Sequence, residues 1–297
     1  MPAALSSVVP FSRQKRGILV VGHGTADPVG AEETRSIARR MAELVPEVPV
    51  ELGFLEVIGP SIGESLEKLS ARGCVEVVSA PLLMFTAGHA RQDVPEALRE
   101  GAREAGLRVS RAEALGCHRL IVELSRLRRE EAVAPLPAVP AEATVLVMVG
   151  RGSSDPSAHP QLQQFTAVTL AGQKRPGRVE LGFVAAARPK LAEAIVAAAE
   201  GQGGSAAPAV PVRRVLVQPH LLFRGHVEEQ VQAAIARGRS LYPHIEWVAV
   251  ERLGPDQRVA QALLERALSV FGRPIPAGAR LPNGKKSCRQ SEPIKTP

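Results

Sequence analysis

Apolar residues follow two rhythms along this chain. Short, nearly unbroken apolar runs read as buried strands at Gly17–Val21, Val50–Leu55 and Val75–Ala80, with a weaker one at Leu107–Ala112. Between them, apolar positions recur at helical spacing over Ala31–Leu44, Ser61–Ala71, Val94–Ala105 and His118–Arg129. Pro60-Ser61 reads as a helix start, because Glu64 stands three residues after Ser61 as a capping-box partner. Strand and helix therefore alternate, which predicts a parallel sheet with helices on both faces.

The second half repeats the first. "VLVMVGRGSSDP" echoes "ILVVGHGTADP", and "VELGFVAAARPKLAEAI" echoes "VELGFLEVIGPSIGESL". Further on, "PHLLFRGHVEEQVQAAI" echoes "PLLMFTAGHARQDVPEAL", and "ERLGPDQRVAQALLERA" echoes "EALGCHRLIVELSRLRR". One match is weak; a series in the same order implies duplication. The expected architecture is α/β, with two similar domains, each a parallel sheet flanked by helices, and a cleft between them. Residues 17–130 form the first domain, 131–143 a Pro- and Ala-rich linker, and 144–272 the second domain. "EGQGGSAAPAVP" reads as a flexible insertion, and 273–297, polar and rich in proline, as a disordered tail.

Composition narrows the function classes. A hydrophobic content of 45% supports a full core, and 3% aromatics leaves few rings for base stacking, which argues against a nucleic-acid partner. The net charge of +7 is spread along the helices as single arginines and favours anionic ligands such as polycarboxylates or phosphates. Cys74, Cys117 and Cys288 lack zinc or disulfide spacing, which suits a reducing cytoplasm. The N-terminal basic residues follow its weakly apolar stretch, the reverse of a signal peptide. No apolar run approaches the roughly 20 residues of a membrane span.

Ligands of open parallel sheets bind beyond the carboxyl ends of the strands. Three groups fall there: His23 after the first strand, Glu56 after the second, and His89 after the third. Two imidazoles and a carboxylate at one sheet edge suit a divalent first-row metal ion, and they suit proton transfer near neutral pH equally. Taken singly, each also reads as an ordinary surface or turn residue. The duplicated half has Arg151 in the place of His23 and Ala185 in the place of Glu56, and retains His226 in the place of His89. One half is thus expected to do chemistry while the other supplies a wall, with Arg151 offering a permanent cation to a carboxylate. The role of His226 stays open.

"GHGT" also invites other readings. A dinucleotide loop needs G-x-G-x-x-G, but its third glycine position is Asp27, whose charge would repel a pyrophosphate. A phosphohistidine enzyme needs an arginine before the histidine, and Gly22 stands there. Asp27 and Asp155, each followed by proline, read as turn residues.

"VGHGTADP", "ELGFLEVIGPSIGESLEKL" and "APLLMFTAGHARQDVPEAL" together resemble the CbiX/SirB class of sirohydrochlorin chelatases, a group of class II tetrapyrrole chelatases. The resemblance covers about Gly17 to Leu127, and again, more weakly, Thr144 to about Phe271. It implies insertion of Co2+ or Fe2+ into sirohydrochlorin without ATP, in cobalamin or sirohaem synthesis. The ion is then a substrate, with no permanent cofactor. His23, Glu56 and His89 match the family's metal-site motifs; His23 and His89 would hold the ion or accept the departing pyrrole protons. Arg91 and Arg151 would pair with peripheral carboxylates of the macrocycle. Gly22 and Gly24 are expected to leave room for that flat ligand against the backbone. The alternatives are a metal or tetrapyrrole carrier without turnover and, less well matched, phosphoryl transfer through His23. Oligomeric state is left open.

Overall fold

A computed structural model describes residues 15–85, 93–200 and 210–271. Its first half runs β1 (Lys15–Gly22), α1 (Pro28–Leu44), β2 (Val50–Phe54), α2 (Ile62–Ala71), β3 (Cys74–Pro81), α3 (Asp93–Ala105), β4 (Arg108–Arg111) and α4 (Arg119–Val133). After a single 3-10 turn at Ala141–Ala143 the second half runs β5 (Thr144–Gly150), α5 (Ala158–Leu170), β6 (Arg178–Phe183), α6 (Leu191–Glu200), β7 (Arg214–Pro219), α7 (His226–Leu241), β8 (Glu246–Ala249) and α8 (Gln257–Val270). The sheets have strand orders β2-β1-β3-β4 and β6-β5-β7-β8, parallel throughout. This is the α/β architecture that the alternating pattern predicts.

Period-two alternation makes β1 two-faced. Ile18 and Val20 face a central cluster, while Leu19 and Val21 pack with Leu66 and Leu69 of α2 and Leu98 of α3. The second sheet does the same: Leu146 and Met148 face inward with Leu162 of α5, and Val145 and Val147 face outward toward Ile195 of α6 and Ile235 of α7. Caps set the helix starts. Ser61 and Glu64 form the capping box expected at α2, bonded in both directions. Asp27, read from sequence as a turn residue, caps α1 by accepting from the Gly30 amide at 2.9 Å, with Pro28 as the first helical residue.

The halves exchange their last helices. Val259, Leu263 and Ala267 of α8 pack on Ile18, Val78 and Ala80 of the first sheet and on Ile37 and Met41 of α1. In return, α4 turns to the second half. Its Arg126 donates to the carbonyls of Val168 (2.8 Å) and Thr169 (2.9 Å), and Arg129 donates to Gln218 Oε1 at 2.8 Å. Ala132, Val133 and Leu136 then pack beneath Leu146 and Leu216. Helix α4 outlasts its expected end at Arg129, because Glu130, Glu131 and Ala132 are good helix formers and the stop comes only near Pro135. The proline-rich stretch after it is anchored rather than loose: buried Arg214 donates to the Pro137 carbonyl at 2.7 Å and pairs with Glu246 at 2.6 Å. Among the described residues no helix is long and apolar enough to cross a membrane.

This exchange is testable. Leu263→Ala should cost about 2–5 kcal/mol in urea unfolding, because its buried side chain cannot be replaced by relaxation. Native-state hydrogen exchange should report the lost protection in β1 and β3 of the opposite half as well as in α8.

Candidate functional site

The chain leaves β1 toward α1 on the inner face and leaves β3 toward α3 on the outer face. Strands β1 and β3 are neighbours, with Val21 in register with Pro81, so their carboxyl ends form a topological switch point. His23 is the residue after β1. Beside it, Glu56 follows β2 by two residues. Their side chains meet, with His23 Nε2 3.2 Å from Glu56 Oε1, and both remain accessible at 35% and 58% exposure.

Backbone geometry explains the meeting. The Leu55 amide donates to the Gly22 carbonyl (3.0 Å) and the Glu56 amide to the His23 carbonyl (3.1 Å), carrying the β1–β2 pairing past the end of β2. Gly24 has φ +100°, and a Cβ placed on it would overlap the Glu56 carbonyl oxygen. A Cβ on Gly22 would press on the Phe54 ring at 3.0 Å and on Thr34 at 3.1 Å. The expectation that these glycines leave space for a ligand is therefore corrected. Protein fills that space, and the glycines let the Glu56 loop close onto the histidine turn.

The second half keeps the frame and changes the chemistry. Val184 and Ala185 donate to the carbonyls of Gly150 and Arg151, and Gly152, at φ +88°, faces the Ala185 carbonyl as Gly24 faces that of Glu56. In this frame Arg151 is an exposed cation where His23 stands, and Ala185 offers no carboxylate. His226 opens α7 and is 79% exposed, with Nε2 2.6 Å from Gln230 and Nδ1 3.4 Å from Glu229. His89 and Arg91 lie outside the described residues. Among the described residues no three His, Cys, Asp or Glu side chains converge as a metal-holding group; His23 and Glu56 do converge as a pair.

One family model, that of CbiX, matches residues 17–132 and again 145–270. The chain belongs to the CbiX family. Its relatives include the sirohydrochlorin cobaltochelatase of Priestia megaterium, 26% identical over 254 residues that cover 85% of this chain and 79% of the relative. The sirohydrochlorin ferrochelatase of the same organism is 30% identical over 217 residues, covering 72% of this chain and 76% of the relative. Among solved structures, SirB from Bacillus subtilis with Fe3+ superposes with a TM-score of 0.72 at 25% identity, over 88% of this chain and 98% of that one. Both CbiX repeats thus carry the same loop frame, and the His23–Glu56 pair occurs in the first.

A further histidine escaped sequence reasoning. His220, directly after β7, is 5% exposed, and neither ring nitrogen has a hydrogen-bond partner. Its ring lies 3.9 Å from that of Phe165 and 5.0 Å from that of Phe85, centroid to centroid, which joins the segment after β3 to the second half. Burial holds its pKa down to about 3. His118, which caps α4, is held to about 4 by burial and by Arg266 and Arg119. Only the apolar context "VQPHLLF" hinted at burial, and Leu82 fills the matching place in the first half.

Two outcomes follow from this geometry. Gly24→Ala should lower stability by about 3 kcal/mol and reduce whatever chemistry the pair performs, whereas Gly152→Ala should lower stability similarly and spare it. Urea midpoints and activity measured together check both. The second outcome concerns pH. Folded His220 titrates below its unfolded value, so the unfolded chain binds more protons and stability falls as pH drops from about 6.5 toward 3. Urea unfolding of His220→Leu at pH 7 and pH 5 should therefore show about 2 kcal/mol less acid loss than wild type, the remaining loss including the His118 contribution.

Proposed function

We propose that this chain is a sirohydrochlorin chelatase, inserting Co2+ or Fe2+ into the polycarboxylate macrocycle without ATP. The His23–Glu56 pair at the switch point of the first half carries this reading, supported by relatives named for that activity along both halves. Metal insertion requires the incoming ion to shed water and displace both pyrrole N–H protons. A neutral imidazole bonded through Nε2–H to a carboxylate presents its Nδ1 lone pair outward, as a ligand for the ion or a base for a departing proton. The Glu56 carboxylate supplies negative charge that offsets part of the ion's charge, and imidazole with carboxylate suits both metals.

His89, between β3 and α3 in sequence, is assigned the third position. Arg151 and Arg91 are assigned to peripheral carboxylates, where each exposed pair contributes on the order of 0–1 kcal/mol. The ion is substrate, and no permanent cofactor is invoked. The buried free thiol of Cys74 supports a cytoplasmic setting.

An anaerobic absorbance assay with sirohydrochlorin and Co2+ or Fe2+ tests the proposal. His23→Ala and His89→Ala should each slow insertion on the order of 100-fold, and Glu56→Gln on the order of 10-fold, with melting temperatures unchanged. His226→Ala should change the rate less than about twofold, because it lacks the carboxylate partner at the Glu56 position. Equal losses from His226→Ala and His23→Ala would place the chemistry in the other half. Binding of ion and macrocycle without multiple turnover would make the protein a carrier.

A further inference from the structure

The loop that delivers Glu56 contains a strained residue. Val57 has φ +71°, and the Ile58 amide donates to the Glu56 carbonyl at 2.8 Å across it. Together these define a γ-turn of the rare kind with positive φ at its centre. The same turn recurs in the second half, where Ala186 has φ +50° and the Ala187 amide donates to the Ala185 carbonyl. The fold therefore needs positive φ at this place in both halves.

Glycine adopts that conformation without penalty, and a β-branched residue adopts it worst of all. Alanine suffices in the second half, so the turn does not require the isopropyl group of Val57. Core packing does not require it either, because Val57 is 63% exposed. What it occupies is the mouth of the histidine turn: a Cβ on Gly24 would stand 3.6 Å from that of Val57. Backbone strain held at such a place points to function. An exposed apolar group adjoining a histidine–carboxylate pair suits the apolar face of a flat aromatic ligand.

We propose that Val57 is a substrate-contacting residue, its isopropyl group packing against the face of the tetrapyrrole ring beside His23 and Glu56 and adding to the affinity for that ring. This rests on the chelatase reading for the identity of the ring. Removing the two methyl groups should weaken ring binding without touching the metal-binding groups. Ala186 shows that the turn itself tolerates alanine.

The test is an absorbance titration of metal-free sirohydrochlorin into the full chain, alongside insertion kinetics at saturating Co2+. Val57→Ala should raise Kd and KM for the macrocycle about fivefold through lost apolar burial. The kcat and the half-saturating Co2+ concentration should stay at wild-type values, and the melting temperature should rise slightly, because alanine adopts positive φ at less cost than a β-branched residue. Val57→Asp should weaken macrocycle binding further, since its charge opposes those of the ligand. An unchanged Kd in Val57→Ala, with wild type active, overturns the inference. So does an equal shift in the Co2+ dependence, which would mean that the turn only aims Glu56. A wild type that binds the macrocycle and never inserts metal overturns the chelatase reading while leaving the Val57 effect measurable. One that does not bind the macrocycle overturns both.

Discussion

A carbonyl oxygen lying against a residue without a side chain organises this molecule's candidate site. The Glu56 carbonyl occupies the place where Gly24 would otherwise carry a Cβ. That approach lets the amides of Leu55 and Glu56 continue the pairing of β1 with β2 beyond the regular sheet. The carboxylate is thereby fixed to the strand neighbouring the histidine, and the two groups meet at 3.2 Å with no core packing of their own. The same closure of Ala185 over Gly152 forms in the second half with neither histidine nor acid. Frame and chemistry are thus separable: the backbone closure is a property of the repeat, and the reacting groups are placed on one copy of it.

The two copies are not independent bodies. Each sheet is covered on its inner face with the help of a helix from the other half, so apolar area is buried only when both are in place. Polar bonds follow the same exchange. Arg252, from the loop before α8, bridges Glu33 of α1 at 2.8 Å and Glu228 of α7 at 3.0 Å. Arg224 meets Asp27, the cap of α1, at 3.6 Å, and its amide donates to Glu33 at 2.9 Å. The segment before His226 is thereby fastened to the helix that begins just after His23. The rims of the two halves are thus tied by mostly buried ion pairs through Arg252 and by more exposed contacts through Arg224.

Much of this was legible in the sequence because the relevant forces are local or periodic. Alternating apolar residues in β1 can satisfy only a two-sided sheet, and Ser61 with Glu64 can close only a helix start. The order of matched segments required a duplicated fold. His23 and Glu56 could be assigned to one rim because parallel strands end on the same side. Their contact could not be read, since it depends on where a loop of the next strand returns. The reason for the glycines was likewise hidden: a missing Cβ in sequence does not say whether ligand or protein fills the gap.

By itself, the sequence determined which faces are apolar, where strands and helices begin, that the unit is repeated, and which residues of each copy differ in chemistry. Tertiary structure alone decided which surface each apolar face meets: α8 against the first sheet, α4 toward the second, His220 between Phe165 and Phe85. It also decided that Val57 must adopt positive φ. The division has a physical basis. Hydrophobic burial is non-directional, so a periodic pattern states that a face leaves water without naming its partner. The partner is selected by shape and chain connectivity, which exist only once the elements are assembled.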